Sequence, residues 1–371
     1  MVLTRGDDYP IHQTSEPIAY AGTDRNFYDR YFFNGYAPTG EETAVFALAF
    51  GVYPHLNVAD AAFVTVRDGV QIALHASRIM DMERMALAVG PISIEVVVPL
   101  QSLRLRVSAP EQGVHADILF TARAAPIEEP RFTRRIGPRA FMDYTRLTQN
   151  GRYTGWIEID GVRRSVDGHV GTRDRSWGVR PIGARDAQEL APAAAPQFFW
   201  LWAPVNFEDG SLFFHTNDDA QGRAWNRHAV WSADGAAQDG HVHFNFPVAL
   251  LRWQPGTRQA RRAVISLDDR DPSAGEAMFS PLSVMYMLGL GYGHPKWGHG
   301  LLHGALAVER EDLDLAQIDM RQPQHLHVQA LCDVRYTDRD GRVRDGRGVL
   351  EQLVFGPHAP SGFAAMLDMA P

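Results

Sequence analysis

Residues 143–166 read DYTRLTQNGRYTGWIEIDGVRRSV. Two runs of strand-forming residues, Asp143–Thr148 and Tyr153–Ile159, flank Asn150-Gly151. Both residues of that pair tolerate positive φ, which makes it a strong type I′ hairpin signal. Asp160-Gly161 predicts a second hairpin into Val162–Val166. Outward from this stretch the same texture continues. Ala44–Phe50, Ala61–Arg67, Gln71–Ser77, Ile92–Val98, Leu103–Val107 and Val114–Ala122 are short apolar or alternating runs separated by turn formers. That spacing predicts antiparallel sheet in a sandwich or barrel. Short helices are expected only near Asp24–Phe32, Asp81–Arg84 and Ser361–Met369.

A linker-like stretch, residues 183–196, interrupts the pattern, which then resumes from Phe198 to Phe355. The sequence therefore divides into two β-rich halves, 1–190 and 191–371. Each half carries an apolar strand, an Asp-Gly turn and a strand bearing a histidine (His75 and His215), a loose internal echo.

The chain has 371 residues, is 45% hydrophobic and 22% charged, and has a net charge of −8, the balance of a globular protein. It shows no basic run of the kind that tracks nucleic acid. Lys296 is its one lysine, so arginine here carries less functional weight than usual. A single cysteine, Cys332, excludes an intrachain disulfide and reads as a small core residue. No uninterrupted apolar segment approaches the ~18 residues of a membrane-spanning helix. With no hydrophobic signal core at residues 1–8, a cytoplasmic protein is expected, with room for a peripheral membrane contact. Nothing in the sequence sets an oligomeric state.

Common catalytic signatures are missing. The glycines at 289, 291 and 293 lack the spacing and βαβ setting of a dinucleotide loop. There is no P-loop, nucleophile elbow or paired-cysteine site. His294, His299 and His303 lie within ten residues of one another, and neither His-x-His pair, His241/His243 or His325/His327, has a carboxylate at a telling offset. No metal and no organic cofactor is expected.

The densest polar–aromatic stretch is Asp167 to Pro181. On a strand, Val170, Thr172 and Asp174 share one face, while Asp167, His169, Gly171 and Arg173 share the other. Asp174 is either a structural ion-pair carboxylate or an acid whose pKa is raised by apolar walls. Phe198–Phe207 places large aromatics on both strand faces, which predicts burial on both sides or an apolar cavity wall. Together with His215, Trp225, Asn226 and His228, it is either an aromatic core closed by polar loops or a pocket for a large hydrophobic ligand with a polar end. Met278–Tyr292, including Tyr286, makes an adaptable apolar wall or an ordinary core.

The element Asp174-x-x-Trp177-Gly178, at the end of one β-rich half and followed by a second, resembles the carotenoid 1,2-hydratase and tocopherol-cyclase-like families. The runs Tyr28–Tyr36 and Gly51–Pro54 resemble a bacterial branch of that group. The resemblance implies an all-β fold of two lipocalin-like barrels or half-barrels packed together around an apolar pocket. It also implies acid-initiated chemistry, in which an aspartic acid protonates an isoprenoid double bond and aromatic rings shield the cation. Asp174 occupies the motif position. The hydratases tend to carry tyrosine two residues earlier, where this chain has Thr172, a departure bearing on the carotenoid reaction itself.

The resulting expectation is a cofactor-independent hydratase, dehydratase, isomerase or cyclase acting on a terpenoid- or steroid-like small molecule. The alternative is a binding protein for such lipids. Asp174 and His215 are the catalytic candidates. Trp177, Arg180, Trp200, Trp202, Asn206, Trp225, Asn226, His228 and Tyr286 are the substrate-binding candidates. If Asp174 is an acid, Arg175 and Arg180 should point away from it or toward a carboxylate such as Asp167 or Asp186.

Overall fold

The computed structural model describes residues 11–185 and 196–371. Among them the regular elements are β-strands and short 3-10 turns. The expected all-β class is therefore observed, and the segments read as helical are not helices: Asp24–Phe32 runs into the first strand.

Strands β1 (Phe27–Tyr36), β2 (Val45–Tyr53), β3 (Val58–Arg67) and β4 (Val70–Ile79) form a meander. A second meander comprises β5 (Ala88–Val89), β6 (Ile92–Val98), β7 (Ser102–Ala109) and β8 (Val114–Ala122). The short strands β9 (Ile127–Glu128), β10 (Phe132–Ile136) and β12 (Val162–Ser165) pair with the long β11 (Arg139–Ile159). Finally β13 (Val170–Val179) lies between β1 and β11 and closes the sheet into a nearly complete barrel.

The second half repeats this plan as a half-barrel. Its opening meander is β14 (Phe198–Asn206), β15 (Gly210–Asp218), β16 (Ala224–Ala233) and β17 (Val242–Phe244). Then come β18 (Val248–Trp253), β19 (Ala260–Ser266), β20 (Gly275–Tyr286), β21 (Leu306–Asp314), β22 (His327–Asp338) and β23 (Val343–Phe355). In each sheet the half's last long strand lies against its first, β13 on β1 and β23 on β14. One strand crosses over: β21 pairs with β4 of the first sheet. The expected division between residues 190 and 191 lies outside the described residues.

The Asn150-Gly151 hairpin is not formed; β11 runs straight through it. Gly35, Gly171 and Gly151 are direct neighbours on β1, β13 and β11. The Phe46 ring lies over Gly35 and the Phe120 ring over Gly151, each where a Cβ would sit. Tyr153 makes edge contacts with both rings, at 5.1 and 5.4 Å. Gly151 therefore serves close packing in a paired strand rather than a turn. Gly171 is the tightest of the three, since a Cβ there would lie 2.0 Å from the Asn34 carbonyl oxygen, a backbone atom. Gly171→Ala is expected to cost roughly 3 kcal/mol or more in urea unfolding. A loss below about 1 kcal/mol would show that the strands can separate there at little cost.

Three apolar layers result. One fills the barrel, with Phe33, Phe63 and Phe120, and one lines the half-barrel, with Leu201, Phe214 and the buried Cys332. The third lies between the sheets and combines Tyr28, Phe32 and Tyr144 with Trp200, Trp202, Phe213 and Met285. Alternation along β14 explains its aromatic load: Trp200 and Trp202 face the first sheet, while Phe199, Leu201 and Phe207 face the half-barrel's own core.

Candidate active site

Strand register places two polar rows face to face in this middle layer. On the first sheet, Phe32, Asp174 and Thr148 are direct neighbours on β1, β13 and β11. The adjoining row is Arg30, Ser176 and Arg146, and the next is Tyr28, Gly178 and Tyr144. On the second sheet, Gln329, Glu351, Trp202, His215 and His228 follow one another across five strands. Phe32 and Trp202 meet edge to face at 6.1 Å, and Asn34 Nδ2 donates to Gln329 Oε1 at 3.2 Å.

Asp174 stands apart from the other carboxylates here. It is surrounded by protein, yet part of its surface remains reachable by water. Among the described residues none donates a hydrogen bond to its carboxyl, and no arginine lies within 4.0 Å. Burial raises its pKa to about 7; Arg146 and Arg30 pull it down, while Glu129 and Glu351 push it up. A carboxyl with such a pKa is substantially protonated at neutral pH.

The other two carboxylates are tied down. Glu129 is fully buried and accepts from Thr148 Oγ1 at 2.5 Å and Trp202 Nε1 at 3.4 Å. Burial raises its pKa, with Arg146 opposing. Glu351 accepts from His327 at 2.7 Å, Gln329 at 2.7 Å and Trp200 Nε1 at 3.1 Å. Burial works against its charge, but His327, Gln329 and Arg146 outweigh burial and hold it below the usual range. The layer thus contains one carboxylate held charged, Glu351, and two carboxyl groups whose pKa burial raises, of which Asp174 alone accepts no hydrogen bond from the described residues.

His215 is fully buried. Asn226 Nδ2 donates to the Pro130 carbonyl, which leaves Asn226 Oδ1 to accept from His215 Nε2 at 3.0 Å. The bare Nδ1 then faces Glu129 Oε2 at 3.6 Å. Burial lowers the His215 pKa to about 3, so the ring is neutral. Its contact with the carboxyl cluster is through Glu129.

Arg175 points away from Asp174, as expected, but pairs with Asp29 at 2.6 Å rather than with Asp167. Asp167 caps the Gly155 N–H instead, and Asp186 lies outside the described residues. Arg180 differs from expectation by pointing inward: its guanidinium lies 4.4 Å from the Tyr28 ring and 5.7 Å from the Tyr292 ring. Tyr28 follows Gly178 across the sheet, so chain direction carries Arg180 over the open end of that row. Trp200 and Trp202 line the layer. Trp177 does not, because it lies on the opposite face of β13 and is exposed. Asn206 spends its amide on Tyr36 and the Gly171 carbonyl, holding the sheets together away from Asp174. Trp225 stacks under Arg134, His228 bonds to His243, and Tyr286 accepts from Gln259; all three sit outside the acid cluster.

Sequence reading named none of Arg30, Arg146, Glu129, Glu351, Tyr28, Tyr144 and His299 as a catalytic or substrate-binding candidate. Glu351 carried a signal, a lone carboxylate in the apolar run Val349–Phe355. Arg30 and Tyr28 were hidden by the helical reading of Asp24–Phe32.

A separate cluster, His75, His294 and Glu311, places three ligand-type atoms within 4.8 Å of one another. His294 Nδ1 accepts from the N–H groups of Lys296 at 3.0 Å and Trp297 at 2.8 Å, so its proton sits on Nε2 and donates to Glu311 at 2.8 Å. A metal on Nε2 would force that proton onto Nδ1, against two N–H groups. These residues therefore fit a hydrogen-bonded clamp between β4 and β21 better than a metal site.

An AttH-type structure from Nitrosomonas europaea shares the fold, with a TM-score of 0.53 at 14% identity over 90% of this chain and 95% of that one. Kievitone hydratase from Nectria haematococca superposes with a TM-score of 0.48 at 10% identity, covering 91% of this chain and 92% of its own. CghA, solved with Sch210972, gives 0.46 at 11% identity, covering 89% of each chain. At such identities the likeness is one of fold. No curated protein sequence matches the chain. A family model matches residues 3–364, and the chain belongs to that family, a family of unknown function (DUF8625).

Proposed function

We propose that this protein is a cofactor-independent enzyme that protonates a double bond of a hydrophobic, terpenoid- or steroid-like substrate, with Asp174 as the acid. The observation that carries the reading is the carboxyl of Asp174, which accepts no hydrogen bond from the described residues, stays partly reachable by water and has its pKa raised by burial to about 7. A structural ion-pair role would require arginine contacts that it lacks.

In the proton transfer the Asp174 O–H bond breaks and a C–H bond forms from the π electrons, leaving a carbocation. Capture by water forms a C–O bond, and the released proton returns to the Asp174 carboxylate. Loss of a neighbouring C–H proton to the same carboxylate gives an isomer; attack by an internal double bond closes a ring and leaves a new carbocation, which then loses a C–H proton to that carboxylate. Each route restores the acid, so no co-reactant is consumed. The ring of Phe32, the direct neighbour of Asp174 on β1, supplies a quadrupole that would shelter a cation.

The test is extraction of co-purifying apolar molecules, their identification by mass spectrometry, and assay of turnover on what is found. Titration with steroid and terpenoid panels should shift indole emission through Trp200 and Trp202 and raise the melting temperature. Panels that leave both unchanged would count heavily against a substrate of this class.

A further inference from the structure

We propose that the substrate carries an anionic group, a carboxylate or a phosphate ester, and that this group seats between Arg146 and Arg180 over the Tyr28–Tyr144 pair. The inference rests on the site assigned above, but its recognition chemistry is independent of turnover.

Three guanidinium groups enter the middle layer from one sheet. Arg30 is 2% exposed and Arg146 is 9% exposed. Arg30 gives one Nη to the Leu290 carbonyl and packs the other against His299. Its Nε has no acceptor. Among the described residues Arg146 makes no hydrogen bond; it forms a long ion pair with Glu129, 4.0 Å from a buried Nε without an acceptor. Among the same residues the one hydrogen-bond partner of the Arg180 guanidinium is His299, at 3.4 Å. That imidazole cannot balance it: burial, then Arg30 and Arg180, hold the His299 pKa well below normal.

Of the other buried arginines, Arg173 in the barrel bonds to Gln149 and keeps one Nη without an acceptor, while three are satisfied. Arg123 pairs with Asp234 at 2.7 Å, Arg347 with Asp333 at 2.9 Å, and Arg258 donates to three carbonyls. Unpaired buried charge is costly, and oriented N–H donors without acceptors are the preformed half of an anion site. Arg146 lies 5.8 Å from the Tyr144 ring and Arg180 4.4 Å from the Tyr28 ring, while the two rings meet at 6.1 Å. The two cations therefore flank one floor.

An anion here serves the chemistry in two ways. It neutralises the guanidinium groups that would otherwise oppose a carbocation nearby. It also offsets Arg146, the strongest of the charges that hold the Asp174 pKa down. The groups facing Asp174 are Arg146 and Thr148 from β11, Arg30 and Phe32 from β1, Glu129 after β9, and Glu351 from β23. Neutralising Arg146 leaves Glu129 and Glu351 less opposed, so the acid gains its proton as the anion binds.

The experiment is calorimetric titration of the full chain at pH 7 with dodecanoate, dodecyl phosphate and dodecanol. The expected result is binding of one or both anions at least tenfold tighter than dodecanol, the two anion arms separating carboxylate from phosphate. Arg180→Gln should abolish the preference, and Arg146→Met provides a second test if that variant folds poorly. Asp174→Asn should keep the preference but lose proton uptake, read from binding heats in buffers of different ionisation enthalpy. Dodecanol binding as tightly as both anions, neither anion binding, or the preference surviving in a folded arginine variant would each overturn the proposal. Because Asp174→Asn retains the arginines, failure of the acid mechanism leaves this result readable on its own.

Discussion

Asp174→Asn is expected to reduce turnover by about 10²–10⁴-fold, the usual contribution of a positioned general acid. Asparagine keeps the size and polarity of the side chain but cannot supply a carboxylic proton. The carboxyl makes no hydrogen bond to protein, so the substitution breaks no internal contact. Ligand affinity should accordingly change by less than about threefold, a small effect on the free-energy scale of binding. The pH profile provides the second readout. Only protonated Asp174 is active, so the rate should hold on the acid side and fall about tenfold per unit above a pKa near 7. Activity that merely follows the folded fraction, with no alkaline limb, would make Asp174 a structural residue and favour a lipid-binding protein.

Much of the fold was legible because alternation is local. Phe198–Phe207 announced burial on two sides, and the structure gives each side its own core. The face shared by Val170, Thr172 and Asp174 followed from strand periodicity alone. Asn150-Gly151 misled because turn propensity is also local, whereas its outcome is decided at a distance. Phe120 needs a bare backbone beneath its ring, and Gly151 supplies it while paired on both sides.

The cluster around Asp174 was less legible for the same reason. Arg30 and Arg146 become neighbours of one serine only through the register of β1 and β11 on β13. Nothing near either residue in sequence marks it. Arg175 and Arg180 show the limit clearly. Their spacing from Asp174 suggested one shared behaviour, yet parity sends Arg175 to Asp29 on the barrel's inner face and chain direction brings Arg180 over Tyr28.

The free acid should also leave a thermodynamic signature that needs no substrate. Asp174 titrates at about 7 in the folded protein, against about 3.9 for an aspartate in an unfolded chain. Between those values the folded state holds a proton that the unfolded state has released. Stability contributed by this group is therefore full below about pH 3.9 and is lost as pH rises toward 7. At about 1.4 kcal/mol per unit, the loss is on the order of 4 kcal/mol. Glu311 acts in the opposite sense: the hydrogen bond from His75, with that from His294, holds it at about 2, so its contribution disappears as pH falls below the ordinary glutamate range. Subtracting Asp174→Asn from wild type removes Glu311 and every other shared group. The variant should gain on wild type by on the order of 4 kcal/mol between pH 4 and pH 8 in urea unfolding. A difference that stays flat with pH would mean that Asp174 ionises normally in the fold, leaving the protein without a carboxylic proton to deliver at neutral pH. A difference that grows as predicted would show that the fold gives up stability at neutral pH to keep an acid in its cleft.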